Sequence, residues 1–177
     1  MSYPKIKLKN VFNSVKLAWK EYKSFKEKLD KECDRIIDYA NSNNKQMIVL
    51  AGRPYHIDNN IDHEIDKLIT DLGACVLTEE AIARKSQKED TSIINQWTYH
   101  ARLYAAANYV GKYNNMNIIQ LVSFGCGLDA ITTDEVKEIL EKNNKIYTQI
   151  KIDEITNLGA ARIRIRSLLS VVGDHNE

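Results

Sequence analysis

The sequence predicts an α/β domain of doubly wound, flavodoxin-like character, a three-layer fold around four parallel strands. Three observations carry this. Short apolar runs (MIVLA, ACVL, IIQLV) have the length and content of buried parallel strands. Helical periodicity separates them, and strand–helix alternation implies a parallel sheet with right-handed crossovers. Finally, 177 residues at 44% hydrophobic and 28% charged suit one core that needs no disulfide or metal staple.

The chain opens with a long helix. Val11, Val15, Trp19, Tyr22, Phe25, Leu29, Cys33, Ile36, Ile37 and Ala40 recur at three- and four-residue steps, and the segment ends in NSNNK. Residues 1–45 are read as a helical segment packed on an α/β domain of residues 46–177. QMIVLAG is the first strand. Residues 61–72 read as a helix with Asp62 and Glu64 in its first turn, where acidic side chains favour the helix dipole. ACVL is the second strand, and Thr78 is placed to cap the helix beginning with Glu79 and Glu80. RKSQKEDTS reads as a surface loop, residues 99–113 as an Ala-rich helix, and NIIQLVS as the third strand. Thr132 and Glu135 have capping-box spacing for a helix to Lys142. KIYTQIKI is the fourth strand, and Asn157 caps the last helix.

The expected strand order is 2-1-3-4. The first and third strands are then neighbours whose connections leave toward opposite faces, the switch point at which open α/β sheets bind ligands. The loops meeting there are residues 52–58 and 123–129, bordered by residues 153–157.

Composition excludes several classes. Net charge is +1, which gives no strong pull toward nucleic acid or an anionic membrane. No apolar run approaches the roughly 20 residues of a membrane span. The basic start is followed by no apolar signal region, so a cytoplasmic location is expected. Cys33, Cys75 and Cys126 form no CxxC pair and suggest no disulfide framework. Neither a Walker A motif nor GxGxxG is present, so no ATP site of those kinds is seen.

Two motifs carry chemistry-bearing residues. In GRPYHID, Gly52 allows close backbone approach, Arg53 offers a planar anion clamp, Pro54 stiffens the turn, and Tyr55 and His56 add polar groups. His56, Asp58, Asp62 and His63 have the residue types of a divalent-cation site, although their spacing matches no metal motif. In FGCGLD, Gly125 and Gly127 flank Cys126, and successive N–H groups ahead of a helix make an anion nest that lowers a thiol pKa. Asp153 and Glu154 follow the fourth strand, where they cap the next helix or orient His56 or Arg53. Tyr99, Arg102, Tyr104 and Tyr109 read as packing residues. Arg162, Arg164 and Arg166 spread over different helix faces.

VLAGRPYHID, NQWTYHARLYAAA, QLVSFGCGLDAITTD and KIDEITNLGAARIRIRSL, in that order, resemble the dehydratase-like region, the C-terminal half, of large 2-hydroxyacyl-CoA (2-hydroxyglutaryl-CoA) dehydratase activators. The resemblance runs from about Met47 to Leu168 and is less distinct over the leading helix. It implies ATP-driven delivery of one low-potential electron to a dehydratase in anaerobic metabolism. It also implies a four-iron four-sulfur cluster in the complete protein, with Cys126 as the one cysteine here that matches a ligand motif. Ligation is then incomplete in this chain, which reads as part of a larger protein. The implied partners are the remaining domains or a dehydratase subunit, with an acyl-CoA ligand. On this reading the crevice residues are Gly52, Arg53, Tyr55, His56, Gly125, Gly127, Asp153 and Glu154. The alternatives are a non-catalytic module that binds a CoA-type phosphate ligand or a partner subunit, and a thiol enzyme using Cys126 and His56.

Overall fold

The protein is described by a computed structural model covering residues 6–58, 60–86, 97–123, 127–153 and 157–174. A 35-residue helix, α1 (Leu8–Ser42), leads into β1 (Met47–Ala51). A 3₁₀ turn over Pro54–Ile57 precedes α2 (Ile65–Asp71), β2 (Cys75–Thr78) and α3 (Glu79–Ala83). Then come α4 (Thr98–Val110), β3 (Met116–Val122), α5 (Gly127–Lys142), β4 (Thr148–Lys151) and α6 (Gly159–Asp174).

The four strands form one parallel sheet in the order β2-β1-β3-β4, as the alternation predicts. Every residue of β1 and β3 is buried, which is why these strands read as continuous apolar runs rather than as alternation. Alternate residues serve two cores. Met47, Val49, Ala51 and Ile118 face α3, α4, α5 and the second half of α1. Ile48, Leu50, Ile119 and Leu121 face α2 and α6. The helix after β1 and the helix after β3 therefore lie on opposite faces, which puts the switch point between those two strands.

Three local expectations change. The helix expected from residue 61 begins at Ile65. Asp62 is buried, and its carboxylate accepts the Glu64 N–H at 2.9 Å, while His63 and Glu64 both take left-handed backbone angles. That side-chain turn competes with the helix and delays it by one turn. Thr78 precedes α3 without a capping side-chain bond. Residues Thr132 and Glu135 do not open a helix: α5 starts at Gly127, and Thr132 is buried beside Tyr104. The capping-box spacing there coincides with a buried face. Asn157 does cap, accepting the Gly159 N–H at 2.9 Å.

The packing of α1 is confined to its second half. Cys33 and Ala40 are buried, and Leu29, Ile36 and Ile37 rest against the same core. Burial pushes the Cys33 thiol up to about 11, so it is a packing residue and not a thiolate. Arg84 donates to Asp30 at 2.7 Å, and Lys85 pairs with Asp34, which fixes this half against the end of α3.

Candidate functional site at the switch point

β1 ends at Ala51, and Gly52 begins the loop at its carboxyl end. A Cβ on Gly52 would lie 2.9 Å from His56 Cβ and 3.2 Å from the Leu121 carbonyl oxygen. Only glycine lets the 3₁₀ turn fold back flat onto β3. That turn carries His56 into full burial between the two central strands.

Both ring nitrogens of His56 are engaged. Nε2 lies 3.0 Å from Ser123 Oγ, the last described residue of the loop leaving β3. Nδ1 lies 3.1 Å from the Leu121 carbonyl oxygen and 3.2 Å from the Arg53 N–H. Two neutral arrangements fit. With the proton on Nδ1, the ring donates to Leu121 and accepts from the Ser123 hydroxyl. With the proton on Nε2, it donates to Ser123 and accepts from Arg53. Burial lowers the His56 pKa, opposed by the Leu121 carbonyl and by Asp129, so the neutral ring is favoured near pH 7.

Arg53 reaches across the switch point to α5. Its Nε and Nη2 both donate to Asp129 Oδ1, at 3.1 and 3.0 Å, and its Nη1 donates to the Tyr55 hydroxyl at 3.3 Å. Asp129 is 4% exposed, and its second oxygen has no hydrogen-bond partner among the described residues. The carboxylate that orients Arg53 is thus Asp129. Asp153, one of the two carboxylates the sequence offers for that task, instead lies beside His56.

The ring edge of His56 looks into a cavity of about 330 Å³ lined by Tyr55, His56, Asn60, Ile61, His63, Ser123, Ile152 and Asp153. Tyr55 is half-exposed at its rim and meets the His56 ring edge-to-face at 4.5 Å. Gly127 opens α5. Residues Gly125, Cys126 and Glu154 lie outside the described residues. Among the described residues no group of three or more His, Cys, Asp or Glu side chains is placed to hold a metal ion. His56 and Asp62 are buried in separate hydrogen bonds, to Ser123 and to Glu64.

A second buried ion pair stands on the other flank. Glu79, at the start of α3, is fully buried, and its Oε1 accepts Arg102 Nη2 at 3.0 Å while Oε2 has no side-chain partner among the described residues. Desolvation pushes its pKa up to about 7, against the pull of Arg102. Tyr99, one turn before Arg102 on α4, feels the charges of Asp129, Arg53 and Glu79, so it lies between the two ion pairs. Sequence reading leaves Tyr99 and Arg102 as packing residues and misses both pairings. The clue available is two acidic residues at a strand end, and it points equally to a helix cap.

Residues 2–82 match the family model described as the CoA enzyme activase uncharacterised domain. The match fits a member of the dehydratase activator family and begins earlier than the motif resemblance: it takes in all of α1, then β1, α2, β2 and most of α3. Gly52, Arg53, Tyr55, His56 and Glu79 fall inside the activase region, whereas Ser123, Asp129 and Asp153 come from beyond it. No curated protein and no solved structure matches the chain. No helix among the described residues is long and apolar enough to cross a membrane.

Proposed function

We propose that the crevice is a redox-associated site of an activator-like protein, in which Cys126 supplies one thiolate to a four-iron four-sulfur cluster. An activator-like role follows from the activase match, and the cluster goes beyond it. The observation that carries the reading is the convergence of the two motif loops: His56 of GRPYHID is hydrogen-bonded to Ser123, three residues before Cys126. The described residues do not by themselves fit a cluster. Cys33 is sealed under α1, and Cys75 starts β2 at the opposite end of the sheet from the switch point. The remaining ligands therefore come from other domains or from a dehydratase subunit.

This chain's own contribution is to hold the Cys126 loop. Gly52 and the 3₁₀ turn seat His56, His56 fixes the exit of β3 through Ser123, and Arg53 fixes the start of α5 through Asp129. On this reading the Arg53–Asp129 pair and the neutral His56 ring are this chain's groups for tuning a cluster by charge and hydrogen bonding.

Iron and acid-labile sulfide, measured after anaerobic purification, test the reading. The samples are this chain, a longer chain with its native neighbouring sequence, and Cys126→Ala in both. Iron in the longer chain that is lost with Cys126→Ala supports it. Iron content unchanged by Cys126→Ala overturns it.

The cavity beside His56 favours a second reading, a non-catalytic module for a small ligand such as a CoA thioester. Its volume of about 330 Å³ falls within the roughly 300–1,000 Å³ of ligand pockets. Arg53 is engaged by Asp129, so a phosphate would have to compete with a buried carboxylate. On this reading CoA or acyl-CoA raises the melting temperature by mass action. The absence of a shift at saturating ligand removes it.

A further inference from the structure

The first half of α1 leaves a continuous apolar face uncovered. Leu8, Val11, Val15, Ala18, Tyr22 and Phe25 follow one another at alternating three- and four-residue steps and are all exposed. This is the spacing of a coiled-coil seam, with Leu8, Val15 and Tyr22 at a and Val11, Ala18 and Phe25 at d. Phe12 and Trp19 occupy successive e positions and widen the face on one side. Lys9, Lys16, Lys20 and Lys23 fall at b and f, away from the seam.

We infer that this face binds the same face of a second copy of the chain, antiparallel, as a homodimer. The order of side chains along the seam supports this occupant. About a two-fold axis between residues 16 and 17, Leu8 meets Phe25 of the second copy, Val11 meets Tyr22, and Val15 meets Ala18. Each pair joins a smaller side chain to a larger one or closes the narrow centre. The same axis brings Phe12 against Trp19 along the e edge. On the g edge Ser14 meets Glu21 and Lys7 opposes Lys28, and on the e edge Lys26 holds its Nζ over the Tyr22 ring.

The placement of the domain selects both partner and direction. At about 100° per residue the seam from Leu8 to Phe25 lies on the same side of α1 as Leu29, Cys33, Ile36 and Ala40, which pack on the domain. Whatever covers the seam therefore lies on the domain's side of the helix. A flat bilayer meeting this face would collide with the domain. A parallel copy would bring its own domain to the same place. An antiparallel copy fits, because its helix begins at Leu8 opposite Phe25, one turn short of Leu29, where the domain begins.

The area is sufficient. Phe12, Trp19, Tyr22 and Phe25 are 66%, 66%, 46% and 51% exposed. With roughly 150–250 Å² per aromatic side chain, they leave about 450 Å² uncovered per copy. Two copies, with Leu8, Val11 and Val15 added, exceed the roughly 1,000 Å² expected of a stable interface.

Sedimentation equilibrium of the 177-residue chain across the micromolar range tests this. The expected mass rises from 20.3 kDa to twice that with concentration, at least as readily in high salt as in low salt. Val15→Glu, one unpaired charge in each half of the seam, weakens dimerisation at least about tenfold and leaves the melting temperature of the dilute monomer unchanged. Lys20→Glu, on the outer face, leaves the dimer intact. Mixed Val15→Cys and Ala18→Cys chains form a 15–18 disulfide on oxidation. A chain that stays monomeric throughout, a dimer that survives Val15→Glu, a 15–15 disulfide as the main product, or a monomer that instead binds anionic vesicles through α1 overturns the proposal.

Discussion

The crevice has two flanks, and each buries one titratable group in a different way. On one flank His56 is surrounded by partners: the Ser123 hydroxyl, the Leu121 carbonyl and the Arg53 N–H all lie within 3.2 Å. On the other, Glu79 has one oxygen on Arg102 and one with no partner, although it is equally buried. A ring fully met by hydrogen bonds is a structural fixture that also carries a proton. A carboxyl group buried with an orphaned oxygen is held at a cost, and it relieves that cost by keeping its proton. The first flank is built for position, and the second responds to pH.

The largest effect comes from Glu79. The folded chain holds its proton to about pH 7, while an unfolded glutamate releases it near its ordinary value of 4.5. The folded state therefore binds more protons between those values, and stability falls as pH rises through this window. At about 1.4 kcal/mol per pKa unit the loss from pH 4 to pH 8 is about 3 kcal/mol. Urea titrations across that range should show the decline, and Glu79→Gln should flatten it. An unchanged slope in the variant would make the two flanks alike.

His56 has the opposite sign. Its folded pKa is lowered, so its contribution is present above the ordinary histidine value and is lost as pH falls below it. His56→Ala leaves the Ser123 hydroxyl facing a void, with an expected loss of about 2 kcal/mol at pH 8, read from the urea midpoint. Smaller again is Arg53→Ala, at about 1 kcal/mol. If Arg53→Ala costs more than His56→Ala, the ion pair rather than the ring holds the loops together.

Much of this was legible before any coordinates. The strand order followed from apolar runs that alternate with helices, because a strand buried on both faces must be apolar along its whole length. Gly52 and His56 were singled out because their residue types are unusual at a strand end, and the structure brings both to the switch point. The pairings were not. Arg53 meets Asp129 across 76 positions and Glu79 meets Arg102 across 23, and nothing local marks either acid as a partner. The late start of the helix expected at residue 61 was hidden for a different reason: Asp62 looks like a helix-dipole residue in sequence, but it accepts the Glu64 N–H in a turn of its own. Gly125, Cys126 and Glu154 fall outside the described residues, so the expectations placed on them rest on sequence.

The long helix also has a mechanical meaning. Thirty-five residues make a rod about 50 Å long, clamped within its second half where Arg84 holds Asp30 and Lys85 pairs with Asp34. Such a rod is a lever with its fulcrum at the end of α3. A sideways load applied near Leu8 arrives there as torque. Five residues back along α3 is Glu79, so the fulcrum of the rod lies close to the flank of the crevice that buries this carboxyl group.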